Sequence, residues 1–130
     1  MALLIDCLGF DCADPAALAA FWAEVLDYDN LPSDDPDEAA VAPKDGKGNH
    51  ILFLRVPEGK VAKNRLHLDL RPDNQAAEVE RVLALGAKTV DIGQGEQTWV
   101  VLADPEGNEF CILRALTAEE RAKQSAESSG

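Results

Sequence analysis

A histidine and an aspartate stand two apart in Arg65-Leu-His67-Leu-Asp69-Leu-Arg71. On a β-strand that spacing sends both side chains to one face, where a carboxylate can orient an imidazole as a general acid or base. A surface ion pair of Asp69 with Arg65 or Arg71 is the competing use of the same carboxylate. Cys7 and Cys111 are the other groups with chemistry to offer, since either thiol against His67 would form a nucleophile pair. No oxyanion hole or activating helix N-terminus can be placed from the sequence, which leaves His67 as the best catalytic candidate. Cys7, Cys12 and Cys111 are an odd set without C-x-x-C spacing, which fits reduced thiols and no disulfide framework. Trp99 offers a face for stacking on a planar ligand, with packing between modules or subunits as the alternative.

The composition narrows the partners. In 130 residues there are 24 Asp or Glu and 12 Lys or Arg, a formal charge of −12. Such a field repels phosphate backbones and anionic lipid heads, so neither a nucleic acid nor a membrane is an expected partner. The apolar share of 46% and charged share of 28% are those of a globular chain. No apolar run is long enough to cross a bilayer, and the N-terminus lacks the basic start of a secretory signal, so a cytoplasmic location is expected.

The elements that must position these groups are legible in the pattern. Residues 3–12 read as a strand with Leu4, Leu8, Phe10 and Cys12 on one face and Cys7, Gly9 and Asp11 on the other. Asp14 followed by Pro15 starts a helix over 15–27, with Leu18, Phe21, Trp22, Val25 and Leu26 at helical spacing. Residues 28–37 read as a loop with at best a short edge strand. A weak strand over 38–42 and a hairpin partner over 50–56 flank a turn over 44–49. The order then repeats: a strand over 65–71, a helix capped by Asp73 or Asn74 and closed at Gly86, and strands over 87–92, 97–103 and 108–114. The turns Gly93-Gln94-Gly95-Glu96 and Asp104-Pro-Glu-Gly-Asn108 separate the last three strands, and the second is read as turn chemistry alone. Thr117-Ala-Glu-Glu120 is a capping-box pattern that opens a short polar helix and a mobile tail over 115–130.

The repeat carries the architecture. Asp45-Gly-Lys-Gly-Asn49 and Asp104-Pro-Glu-Gly-Asn108 each precede an apolar strand, and Cys7-Leu-Gly-Phe10 matches His67-Leu-Asp-Leu70. The expected fold is therefore α+β: two βαβββ modules, about 3–58 and 63–114, forming a cupped mixed sheet with helices on the outer face. If each helix covers the more apolar face, Leu66, Leu68 and Leu70 lie under it. Arg65, His67, Asp69 and Arg71 then face a trough, together with Cys7, Gly9, Asp11, Glu109, Cys111 and Leu113. On the hairpin strand the two faces are ambiguous, and matching the Gly-Asn turns puts His50, Leu52 and Leu54 in the trough.

Three stretches, Phe10-Asp-Cys-Ala-Asp-Pro-Ala-Ala-Leu-Ala-Ala-Phe-Trp22, Lys63-Asn-Arg-Leu-His-Leu-Asp-Leu70 and Val101-Leu-Ala-Asp-Pro-Glu-Gly-Asn-Glu-Phe-Cys111, resemble the glyoxalase-like branch of the vicinal oxygen chelate superfamily. That group includes glyoxalase, bleomycin-resistance and ring-cleaving dioxygenase proteins. The resemblance covers residues 4–114 and implies paired βαβββ modules and usually a homodimer. It also implies, in the metalloenzymes, a divalent ion held by His, Gln or Glu on the first and last strands of each module. The corresponding positions here are Cys7, Leu52 or Leu54, His67 and Cys111, of which only His67 is a usual ligand.

Three functions stay open on this reading. The first is binding of a small organic molecule in the trough, lined by Cys7, Leu54, His67, Asp69, Trp99 and Cys111, with no metal or other cofactor. The second is a metal-dependent lyase, isomerase or dioxygenase in which Cys7, His67 and Cys111 hold Zn²⁺ or another divalent ion. The third is sequestration of the resistance type.

Overall fold

The computed structural model describes residues 2–91, 93, 95 and 97–128. The chain divides into two compact units, Met1–Lys63 with Asp104–Asn108, and Asn64–Ala103 with Glu109–Gly130. Each contains a βαβββ run and one four-stranded mixed sheet, so the fold is α+β as the pattern required.

In the first unit, β1 (Cys7–Cys12) leads into α1 (Pro15–Leu26), then β2 (Tyr28–Leu31), β3 (Glu38–Pro43) and β4 (His50–Arg55). The sheet order is β1-β4-β3-β2, with β1 parallel to β4 and the rest antiparallel. The Asp14 carboxylate accepts from Ala17 N and Pro15 occupies the first turn, the cap that the Asp-Pro pair requires. Along α1, Leu18, Ala19, Phe21, Trp22 and Val25 are buried at helical spacing. They meet the sheet face that carries Phe10, Val41, Ile51 and Phe53, and edge-on ring contacts run from Trp22 to Phe10 and from Phe10 to Phe53. With Ile51 and Phe53 spent on the core, His50, Leu52 and Leu54 face the other way, in register with Cys7, Gly9 and Asp11.

The turn Asp104–Asn108 completes this core. Asp104 is 2% exposed, and its carboxylate accepts from the Trp22 indole N–H, from Asn108 Nδ2 and from the backbone N–H groups of Glu106 and Asn108. The Glu106 carboxylate accepts from Ala13 N and Asp14 N at the head of α1. A stretch expected only to reverse the chain thus anchors α1 by giving its buried indole N–H a carboxylate acceptor.

In the second unit, β5 (Leu68–Leu70) precedes α2 (Gln75–Leu85), β6 (Lys88–Thr89), β7 (Val100–Ala103) and β8 (Glu109–Ile112), in the order β5-β8-β7-β6. Asn74 caps α2 by accepting from Ala77 N, and Gly86 closes it at φ 120°, where a side chain would be strained. Helix α3 (Ala118–Ser128) opens with the capping box: Thr117 Oγ1 accepts from Glu120 N, and the Glu120 carboxylate accepts from Thr117 N.

Several expected boundaries move. Residues 3–6 do not extend β1, because β4 starts at His50 opposite Cys7 and leaves them nothing to pair with. The strand expected over 65–71 shrinks to Leu68–Leu70, since β8 pairs it only from Phe110 to Ile112. Leu66, expected under the helix, is 76% exposed as a result. Trp99, expected on a strand, stands one residue before β7, and the strand expected over 87–92 is two residues long. Residues 28–31 form a full edge strand, and the last helix runs on to Ser128, where a mobile tail was expected. Ile92, Gln94 and Glu96 of the expected strand and turn, and the tail residues Ser129 and Gly130, lie outside the described residues.

Candidate functional site

The groups that come together all belong to the second unit. Asp69 on β5 is in direct register with Cys111 on β8, so both side chains point to the same side of the sheet. His67 precedes β5 by one residue and shares the parity of Asp69. Its Nε2 lies 3.1 Å from Asp69 Oδ1, within ion-pairing reach of the carboxylate. Ligand atoms of His67, Asp69 and Cys111 lie within 4.8 Å of one another.

Burial divides the three. His67 and Asp69 are exposed, and Cys111 is 6% exposed beside the more deeply buried Val101, its register partner on β7. The face thus offers a polar pair at its rim and an apolar floor, the division of labour of small-ligand sites. The pairing of Asp69 with Arg65 or Arg71 is not what the structure adopts: its recorded partner is His67, and Arg71 Nη1 donates to the Arg114 carbonyl. Glu109, two residues before Cys111 on the same face, accepts from Asn64 N at 3.1 Å. That bond ties down the segment that delivers His67, a role the alternation of β8 placed on the right face without revealing its partner.

Cys7 and Leu54 belong to the first unit. Cys7 is half-buried opposite His50, and Leu54 is exposed opposite Asp11. Trp99, in the second unit, is 37% exposed. Cys12 is no rival to these thiols: it sits on the helix-covered face, and burial, with Glu106 and Asp14 nearby, pushes its thiol up to about 11, so it stays protonated at neutral pH.

The divalent-ion centre implied by the resemblance does not fit these residues. Its slot on β4 holds Leu52 or Leu54, hydrocarbon side chains with no lone pair, and its slot on β8 holds a thiol in place of a carboxylate.

A glyoxalase-like domain family model matches residues 7–113. Among solved structures, the chain is similar to a glyoxalase/bleomycin resistance/dioxygenase family enzyme from Burkholderia phytofirmans, with 20% identity, a TM-score of 0.66, and cover of 86% of this chain and 100% of that one. It is similar to the fosfomycin resistance protein FosX from Mesorhizobium loti, with 17% identity, a TM-score of 0.66, and cover of 95% and 99%. It is also similar to a possible glyoxalase from Bacillus cereus, with 15% identity, a TM-score of 0.64, and cover of 86% and 99%. These likenesses carry the fold alone. No curated protein matches the chain.

Proposed function

The chain belongs to the glyoxalase-like domain family, and from that premise we propose that it binds a small organic molecule at the His67–Asp69 face of its second sheet, without the divalent-ion centre usual in the family's metalloenzymes. The observation that carries this reading is the 3.1 Å approach of His67 Nε2 to Asp69 Oδ1 beside the buried pair Cys111 and Val101. The other ring nitrogen, Nδ1, can meet a polar group of a ligand. The apolar floor would take the hydrocarbon part, and a net charge of −12 favours neutral or cationic ligands over anions.

Thermal-shift screening of the chelator-treated protein against small metabolites and antibiotics, fosfomycin among them, tests the reading. A ligand at a hundred times its dissociation constant adds about 2.7 kcal/mol, which raises Tm by about 10 °C in a chain of this size. The shift should vanish in His67→Ala. A ligand whose shift survives that substitution, or a broad panel with no hit, overturns the proposal. Conversion of the bound compound would favour the enzymatic alternative, and stoichiometric retention the resistance type.

A further inference from the structure

The sheet face that carries His67 and Asp69 continues beyond them toward Trp99. We infer that Asp69 and Trp99 bound a subsite for a planar aromatic cation of about two fused rings, an inference that rests on the proposed binding face and names the class of ligand it takes.

The register lays out the subsite. Asp69, Cys111 and Val101 stand in one row across β5, β8 and β7. Two residues further along each of these chains, the next row on the same face holds Arg71, Leu113 and Trp99. The ladder reaches that row, since Leu113 N donates to the Leu70 carbonyl at 2.8 Å. Gln75 at the head of α2 fixes it from behind: its Nε2 donates to the carbonyls of Thr98 and Ile112 at 2.8 and 3.1 Å, the residues just before Trp99 and Leu113. Rows on one face lie about 7 Å apart and neighbouring strands about 4.8 Å, so the backbones of Asp69 and Trp99 are about 12 Å apart on the diagonal. A carboxylate reaching in from one end and an indole from the other leave the length of two fused rings between them, over a floor of Cys111, Val101 and Leu113.

The two ends select the ligand. Trp99 is 37% exposed, and among the described residues no aromatic ring packs on it, since Phe10, Phe21, Trp22 and Phe53 take their ring contacts from one another. The negative face of an indole left in this way attracts planar rings, and cationic ones above all. At the other end His67 stands against Asp69 Oδ1, and the exposed carboxylate keeps Oδ2 for a positive group of the ligand. Arg71, the cation of the Trp99 row, is committed to the Arg114 carbonyl at 2.7 Å. The net charge of −12 draws cations to the face from a distance.

Calorimetric titration of the full chain with three two-ring probes tests the inference: N-methylquinolinium as the cation, quinoline as its neutral counterpart and naphthalenesulfonate as the anion. The cation should bind at one equivalent, about 5-fold more tightly than quinoline, and the anion more weakly than either. Trp99→Ala should weaken the cation by about 10-fold, and Trp99→Phe by less. Asp69→Asn should weaken the cation by about 5-fold and leave quinoline unchanged. No binding of the cation, tighter binding of the anion, an unchanged affinity in Trp99→Ala, or equal losses for cation and quinoline in Asp69→Asn each overturns the inference. Both substituted side chains are exposed, so the variants retain the fold, which circular dichroism checks. A metabolite whose binding needs His67 and is indifferent to Trp99 sinks this subsite alone. Cation binding that needs Trp99 and Asp69 yet survives His67→Ala sinks the proposed anchor at His67 alone.

Discussion

The two modules repeat one backbone and spend it differently. In the first, the pair of residues opposite each other on the two parallel strands is Gly9 and Leu52; in the second, the equivalent pair is Asp69 and Cys111, with His67 where the first has Cys7. The helices differ in the opposite sense. Six residues of α1 are buried, and its indole is bonded to a buried carboxylate, whereas Val82 is the buried residue of α2. A duplicated fold therefore lets one copy concentrate apolar burial while the other carries exposed polar donors, whose desolvation a tight core would oppose.

The largest expected effect comes from attacking that division at its stable end. Trp22→Ala should lose about 4 kcal/mol in chemical denaturation, because it opens a cavity and removes one of the donors to the buried Asp104 carboxylate. Val82→Ala in the other helix should lose about 2 kcal/mol. Equal losses in the two variants would erase the contrast between the cores.

The chemical end can be sharpened by transplantation. Cys7→His, Gly9→Asp and Leu52→Cys together write the second module's donors into the first. A Cβ on Gly9 would meet no atom within 4 Å and its φ is not in the left-handed region, so the aspartate is sterically admissible. The triple variant should change stability by about 1 kcal/mol or less in chemical denaturation. A larger loss would mean that the first module's sheet does not tolerate the second's polar groups at those positions.

The smallest effect lies outside both cores, at the head of α3. Arg114 grips the Glu120 carboxylate through two N–H donors, and that hydrogen bonding, with the Thr117 N–H, holds its pKa at about 2 against an ordinary 4.5. A depressed carboxylate pKa stabilises the fold above its unfolded value, and the contribution disappears as pH falls from about 4.5 to about 2. The Tm difference between the parent chain and Glu120→Gln should be small near neutrality and vanish across that window. A difference that persists at the acid end would assign Glu120 a role other than its charge.

Much of this was legible before any coordinates. Alternation put His67, Asp69 and Cys111 on one face, and Asp-Pro, Asn74, Gly86 and Thr117-x-x-Glu120 marked the ends of the helices, because caps and pleats are local consequences of residue type. The ambiguous hairpin strand was resolved by its match to the second Gly-Asn turn. Strand lengths were not legible, since a strand ends where its neighbour stops pairing, and Leu66 and Trp99 fell outside for that reason.

The amino-acid order alone determined the duplicated module, the faces of its strands and the leucines at the expected ligand positions of β4, all properties that follow from spacing and side-chain chemistry. Only the tertiary structure decided that Asp69 turns to His67 and away from the neighbouring arginines, that Cys111 joins them, and that Asp104 and Glu106 serve α1. Those choices join residues far apart in the chain or select among near-equal local partners, and such selections are made by the packing of the whole sheet and helix, which no short-range pattern encodes.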